Sequence, residues 1–312
     1  MSTLGLTLMM AIAAPLVAAA PLSAQSMGQG QVVVTILPKA DGKPVPPSVA
    51  QQDLAVKVNG KNAKVTHWGP FVAPNNQIEM VLLIDGSARN SLGRQMNEIG
   101  DFINSLPPNV KAAIAYMANG QAIFVAPLTA DHALILRNLH LPGGVSGIEA
   151  SPYFCLSDLA KQWPGQDAAA RREVVMVTDG VDDYSRQYNP DDPYVEAAIK
   201  DASRAGLVVY SIYWKSSGRA DSTEYETDAG QNLLSQVAQA TGGKSFWQGM
   251  GNPVSFQPYF AELIRRFQNQ YELGFTAPIN GKPDVEGLKL KLHAPGTEID
   301  APERVFVAPG AN

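Results

Sequence analysis

The apolar positions change their spacing twice along this chain. From residue 31 to about 69 they run in short bursts broken by turn residues. The stretch 31–37, Gln-Val-Val-Val-Thr-Ile-Leu, predicts a strand, and 41–47, Asp-Gly-Lys-Pro-Val-Pro-Pro, predicts a turn and loop. Residues 54–60 alternate and end in Asn59-Gly60, a hairpin signal that leads to a further strand near 63–67. From Ile78 onward, strands alternate with helices. Residues 79–84 are almost continuously apolar, which predicts a strand buried on both faces, as in a parallel sheet. Leu92, Met96, Ile99, Ile103 and Leu106 recur at helical spacing, so a helix is expected near 91–106, ended by Pro107-Pro108. Strands at 110–117 and 121–125 flank Asn119-Gly120 and should form a hairpin.

The pattern continues with helices near 131–140 and from Pro152, a strand at 173–178, and a helix at 194–205 stopped by Gly206. A buried strand follows at 207–214, then a helix near 229–240 before Gly242-Gly243, a short edge strand at 244–247 and a helix at 255–269. The chain returns to β at 271–275, 289–292 and 303–307. The expected fold is therefore α/β: a doubly wound, mostly parallel, Rossmann-like sheet with one antiparallel edge strand. A small β-sandwich is expected from the two flanks. The expected division is a leader at 1–26, an N-terminal β segment at 27–75, the α/β domain at 76–269 and a C-terminal β segment at 270–312 that pairs with 27–75.

Composition narrows the function classes. The 312 residues carry a net charge of −5 and show no basic stripe, which argues against nucleic-acid binding. Hydrophobic content of 45% allows a sizeable core. The uncharged, alanine-rich start, Met1 to Ser26, reads as a secretory signal peptide, with an uncleaved anchor as the alternative. The expected location is periplasmic or secreted, envelope-associated in one version, with no other segment apolar enough to cross a membrane. The single cysteine, Cys155, sits in an apolar helical stretch and is expected to be a buried hydrophobe. Trp163, Trp214 and Trp247 are expected in core or edge packing, and the four histidines have no zinc spacing.

The chemistry concentrates where two apolar strands each run into Asp-Gly. Asp85-Gly86-Ser87 follows the first and Asp179-Gly180 the second. Open α/β sheets bind ligands beyond the carboxyl ends of their strands, and two carboxylates there can form a cation site made of oxygen atoms. Asp182, Asp183, Asp191 and Asp192 follow in the next loop, either as an acidic rim or as solvated turn residues.

The order of elements over about 76–268 resembles the von Willebrand factor type A domain. The residues that carry the likeness are Asp85-Gly-Ser87-Ala-Arg89, Thr178-Asp179-Gly180, the strand from Leu207, and 234–246, Leu-Ser-Gln-Val-Ala-Gln-Ala-Thr-Gly-Gly-Lys-Ser-Phe. Asp41-Gly-Lys-Pro-Val45, Asp53-Leu54, Val58-Asn-Gly-Lys61 and Gln270-Tyr-Glu-Leu-Gly-Phe275 are further similar to a group of secreted bacterial proteins containing that domain. The resemblance implies a metal-ion-dependent adhesion site that takes Mg²⁺ or Ca²⁺, with Asp85, Ser87 and Asp179 as ligands and Ser151, or Ser146 instead, in the place of the distant threonine. It also implies a partner protein whose Asp or Glu completes the shell. The family pattern calls for a hydroxyl where this chain has Arg89, and a guanidinium cannot ligate a cation. Arg89 either points outward and leaves the shell short, or pairs with Asp85 or Asp179 in place of the metal. The expectation is an exported, non-enzymatic binding module with a degenerate site. Arg89, Ser146 and Asp182 are expected to face the partner or to stand in for the metal. The alternatives are a metal-dependent hydrolase using Asp85 and Asp179, or a structural component of the cell envelope.

Overall fold

The computed structural model describes residues 26–39, 49–142, 151–182, 189–215, 223–279 and 282–310. The expected leader lies outside these residues except for Ser26, which opens the first strand. Four strands come first: β1 (Ser26–Pro38), β2 (Leu54–Val58), β3 (Lys61–Asn62) and β4 (Lys64–Pro70). The alternating part contains β5 (Ile78–Asp85), α1 (Gln95–Ser105), β6 (Val110–Ala118), β7 (Gln121–Thr129), α2 (His132–Asn138) and α3 (Pro152–Lys161). It continues with β8 (Arg171–Thr178), α4 (Pro193–Ala205), β9 (Leu207–Tyr213), α5 (Glu224–Thr241), β10 (Ser245–Phe246) and α6 (Gln257–Phe267). The last strands are β11 (Gln270–Ile279), β12 (Asp284–Leu292), β13 (Thr297–Asp300) and β14 (Arg304–Pro309).

One sheet has the order β10-β9-β8-β5-β6-β7, parallel throughout except for β7, which runs antiparallel to β6 at the edge. Its central strand β5 is buried at all eight positions, as a continuous apolar run between two helical layers requires. One face packs on α1, α2 and α6 through Ile99, Phe102, Ile135 and Leu263, and the other on α3, α4 and α5 through Leu156, Ile199 and Leu233. Each fully buried aliphatic side chain of β5 contributes about 2 kcal/mol of transfer free energy. The helix stops lie close to the turn chemistry that marked them. Gly206 and Gly242 hold the left-handed conformation that ends α4 and α5.

The flanks differ from the expected sandwich. They form a single connected antiparallel sheet of order β3-β2-β12-β14-β1-β11-β4, with β13 also on β1. The reason is that β1 is shared: it pairs with β11 over ten residues, with β14 at Gly28–Gly30 and with β13 at Thr35–Pro38. The sheet curls into a half-barrel, so that β11 approaches β2 and β3, which are not its neighbours in strand order. Val34, Ile36, Val56, Leu273, Phe275 and Val307 fill its concave side.

Buried polar groups join the two sheets. Arg171 donates through Nη1 to the Phe267 carbonyl at 2.8 Å and through Nη2 to the Asn76 carbonyl at 2.9 Å. Gln270 Nε2 donates to Glu173 Oε1 at 2.8 Å. Arg266, fully buried, donates to Asp300 at 2.6 Å and to Glu262 at 3.0 Å. The turn from α6 into β11 is thereby tied to the amino end of β8 and to β13. Burial raises the Glu173 carboxyl to about 7, against the opposing effects of Arg171 and the Gln270 hydrogen bond.

Candidate functional site

Because β5 and β8 are parallel neighbours with Ile84 opposite Val177, Asp85 and Thr178 emerge together at the carboxyl edge. Asp85 is 7% exposed and organises the edge. Its Oδ1 accepts from the Ser87 amide at 2.8 Å and from Ser87 Oγ at 2.6 Å, and its Oδ2 accepts from Thr178 Oγ1 at 2.7 Å. The Asp85–Ser87 contacts form an Asx turn, the local geometry that an Asp before Gly-Ser favours. A Cβ at Gly86 would lie 2.4 Å from the Met117 carbonyl oxygen, so only glycine lets this turn lie against β6.

Asp179 follows Thr178 directly. Its Oδ1 accepts from the Val181 amide at 3.0 Å, which makes a second Asx turn. Gly180 takes φ +69° here, and its carbonyl accepts from the Tyr153 hydroxyl at 2.7 Å. Helix α5 presses on this turn: a Cβ at Gly230 would lie 2.1 Å from the Asp179 carbonyl oxygen. Trp214 closes the other side, its amide donating to the Thr178 carbonyl at 2.9 Å and its indole N–H to Ser91 at 3.0 Å.

Helix α3 brings the third contribution. Ser151 occupies its N-cap position, is fully buried, and its Oγ has no hydrogen-bond partner among the described residues. From the same helix, Tyr153 reaches Gly180, and its hydroxyl is held well above its ordinary value by burial and by the carboxylates of Asp182, Asp179 and Asp192. Cys155 is buried, and its thiol is pushed up to about 12, first by burial and then by the Asp85 carboxylate, so it stays protonated.

Asp85 and Ser87, Asp179 and Ser151 therefore come from three separated segments to one sheet edge. Thr178 joins them; along the sequence it stands only as part of the Thr178-Asp179-Gly180 motif. As a polar end to a buried apolar strand it carried a signal, but only the β5–β8 register makes it a partner of Asp85. Asp182, expected among the partner-facing residues, is 1% exposed and lies beside Tyr153, so it faces the interior. Nor is Asp192 part of an acidic rim: it caps α4, accepting from the Tyr194 and Val195 amides. The Arg89 backbone belongs to the 3-10 turn Gly86–Leu92, but its side chain, like Ser146 and Asp183, lies outside the described residues.

Among the described residues no group of three or more His, Cys, Asp or Glu is arranged to hold a metal. The oxygens gathered at the edge are instead two carboxylates and three hydroxyls, which suit a hard cation such as Mg²⁺ or Ca²⁺ and not a softer one. The unpartnered Ser151 hydroxyl is the observation that fits such an ion. No described helix is long and apolar enough to cross a membrane.

No family model matches the chain, and no curated protein does. Several solved structures are similar. The conserved hypothetical protein BatB from Bacteroides thetaiotaomicron is 15% identical over 61% of this chain and 96% of its own, with a TM-score of 0.44. An aerotolerance-related membrane protein from Bacteroides fragilis, with multiple mutations to serines, is 16% identical over 61% and 98%, with a TM-score of 0.43. The pilus adhesin SpaC from Lactobacillus rhamnosus GG, in its open conformation, is 10% identical over 87% of this chain and 48% of the adhesin, with a TM-score of 0.45.

Proposed function

We propose that this chain is an exported, non-enzymatic protein-binding module that engages an Asp or Glu of its partner at the carboxyl edge of the mostly parallel sheet. The site is read as a degenerate version of the metal-ion-dependent adhesion site of the von Willebrand factor type A domains. The observation that carries the reading is the Asp85 carboxylate taking the protons of two hydroxyls, Ser87 and Thr178. With their protons directed at Asp85, both oxygens have lone pairs left for a cation. Ser87, Ser151 and Asp85 would hold a Mg²⁺ or Ca²⁺ ion, with Asp179 acting across water. The ion, when bound, supplies positive charge for a partner carboxylate. Arg89 stands where a third hydroxyl would complete the shell. It weakens ion binding and offers a guanidinium to the same carboxylate.

The non-enzymatic reading is supported by the company of the edge hydroxyls: Ser87 and Thr178 each donate to Asp85, and no histidine is hydrogen-bonded to either among the described residues. The nearby thiol, Cys155, is held protonated. Titration calorimetry with Mg²⁺ tests the site: Arg89→Ser should bind the ion more tightly than the natural chain, and Asp85→Ala should abolish binding. An Arg89→Ser variant no tighter than the natural chain refutes the missing-ligand account. Capture from an envelope extract, with natural protein and Asp85→Ala as parallel baits and with or without EDTA, tests the binding role. A partner retained equally by both baits refutes recognition through this edge.

A further inference from the structure

A second concave site lies at the opposite pole. Between the amino ends of β8 and β9, the end of α4 and the strands β1, β11 and β14 there is a half-open cleft of about 750 Å³. That volume falls in the range of small-molecule sites. It is roughly 20–25 Å from Asp179, measured along β8 at the usual rise per residue.

In a chain of net charge −5, the cleft is lined among the described residues by Arg171, Arg172, Arg204 and Arg304, together with His67, against a single acid, Glu272. Glu272 is already engaged, by His67 at 3.2 Å and by the Gln31 side-chain amide. The acids behind the arginines hold them loosely. Arg204 lies 3.6 Å from Asp201 and 3.8 Å from Asp284, and Arg304 lies 3.8 Å from Glu196, all too long for hydrogen bonds. The carbonyls that end α4 would repel an anion, but Arg172 donates to the Ala205 carbonyl at 3.2 Å and the Gly206 amide caps the last turn. Two buried polar atoms of the lining residues, Arg171 Nε and Ser203 Oγ, have no hydrogen-bond partner among the described residues. The remaining wall is mixed: Gln29, Gln31 and Thr276 stand beside an apolar part that includes Val33, Phe306 and Phe71, which lies 4.6 Å beneath the Arg171 guanidinium.

We infer that this cleft binds a small organic anion, with a carboxylate or phosphate group on Arg172, Arg204 and Arg304 and an apolar body against Val33, Phe71 and Phe306. Guanidinium groups suit both oxyanions because their paired N–H donors match two oxygens at once. The proposal is independent of the Asp85 edge.

The test is calorimetry with the full chain and four probes: octyl phosphate, octanoate, inorganic phosphate and the uncharged octyl glucoside. Octyl phosphate and octanoate should bind, inorganic phosphate more weakly and octyl glucoside not at all, and affinity should fall with added salt. The double variant Arg204→Gln/Arg304→Gln, with two half-exposed side chains and so little effect on folding, should lose about tenfold or more in octyl phosphate affinity. Asp85→Ala should bind octyl phosphate as the natural chain does, so that failure of the adhesion-edge reading and failure of this one are told apart. The inference is overturned if neither octyl anion binds, if octyl glucoside binds as well as they do, or if the double variant loses nothing while its circular dichroism is unchanged.

Discussion

Glu173 is fully buried between the two sheets, with Oε1 accepting from Gln270 and Arg171 nearby. Burial raises its carboxyl from 4.5 to about 7 in the folded protein. The native state therefore holds a proton that the unfolded chain releases between those two values, and stability falls as pH rises through that window. The shift corresponds to about 3 kcal/mol of stability, fully present below pH 4.5 and lost as pH rises through about 7. Glu173→Gln mimics the protonated form at every pH and removes this dependence. Urea unfolding of both proteins at about pH 4 and about pH 8 isolates the effect, because all other titrations cancel in the difference between variants. The variant should match the natural chain at the lower pH and exceed it by about 3 kcal/mol at the higher. A difference that does not change with pH refutes the reasoning. A variant weaker by about 3–5 kcal/mol at both values would instead identify an ionised Arg171–Glu173 pair whose surviving cation is left unpaired.

Two further outcomes follow from the carboxyl edge. Thr178→Val removes a buried hydroxyl from Asp85 and should cost about 1–3 kcal/mol in urea unfolding, and any Mg²⁺ affinity of the natural chain should fall with it; full stability would show that Asp85 does not rely on Thr178. Gly230→Ala pushes a methyl group to 2.1 Å from the Asp179 carbonyl oxygen and should destabilise by at least about 1–3 kcal/mol, whereas the same change at Gly60, where nothing lies within 4 Å but φ is +78°, should cost only the backbone strain of about 1 kcal/mol. Equal losses at the two positions in thermal melts would refute the close approach of α5 to the Asp179 turn.

Much of the architecture was legible from the spacing of apolar residues alone. The unbroken runs ending in Asp85 and Asp179 could be satisfied only by strands covered on both faces, and they are the neighbours β5 and β8. Asn119-Gly120 marked the β6–β7 turn, and Gly206 the end of α4, because those residues tolerate the left-handed backbone such points need. The flanks were legible as strands but not as a sheet. Alternation assigns each side chain to a face and says nothing about which strand lies beside which, so it does not distinguish a single curled sheet from a sandwich.

The local chemistry of the site, an Asp followed by Gly and a hydroxyl residue, was written in the chain because an Asx turn needs only contiguous residues. What tertiary structure alone decided was every contact between segments: Thr178 meeting Asp85 through parallel register, Asp182 turned inward beneath Tyr153, and arginines from β8, α4 and β14 converging on one cleft. Such meetings depend on packing between elements tens to hundreds of residues apart. No local spacing records the order in which strands and helices settle against one another.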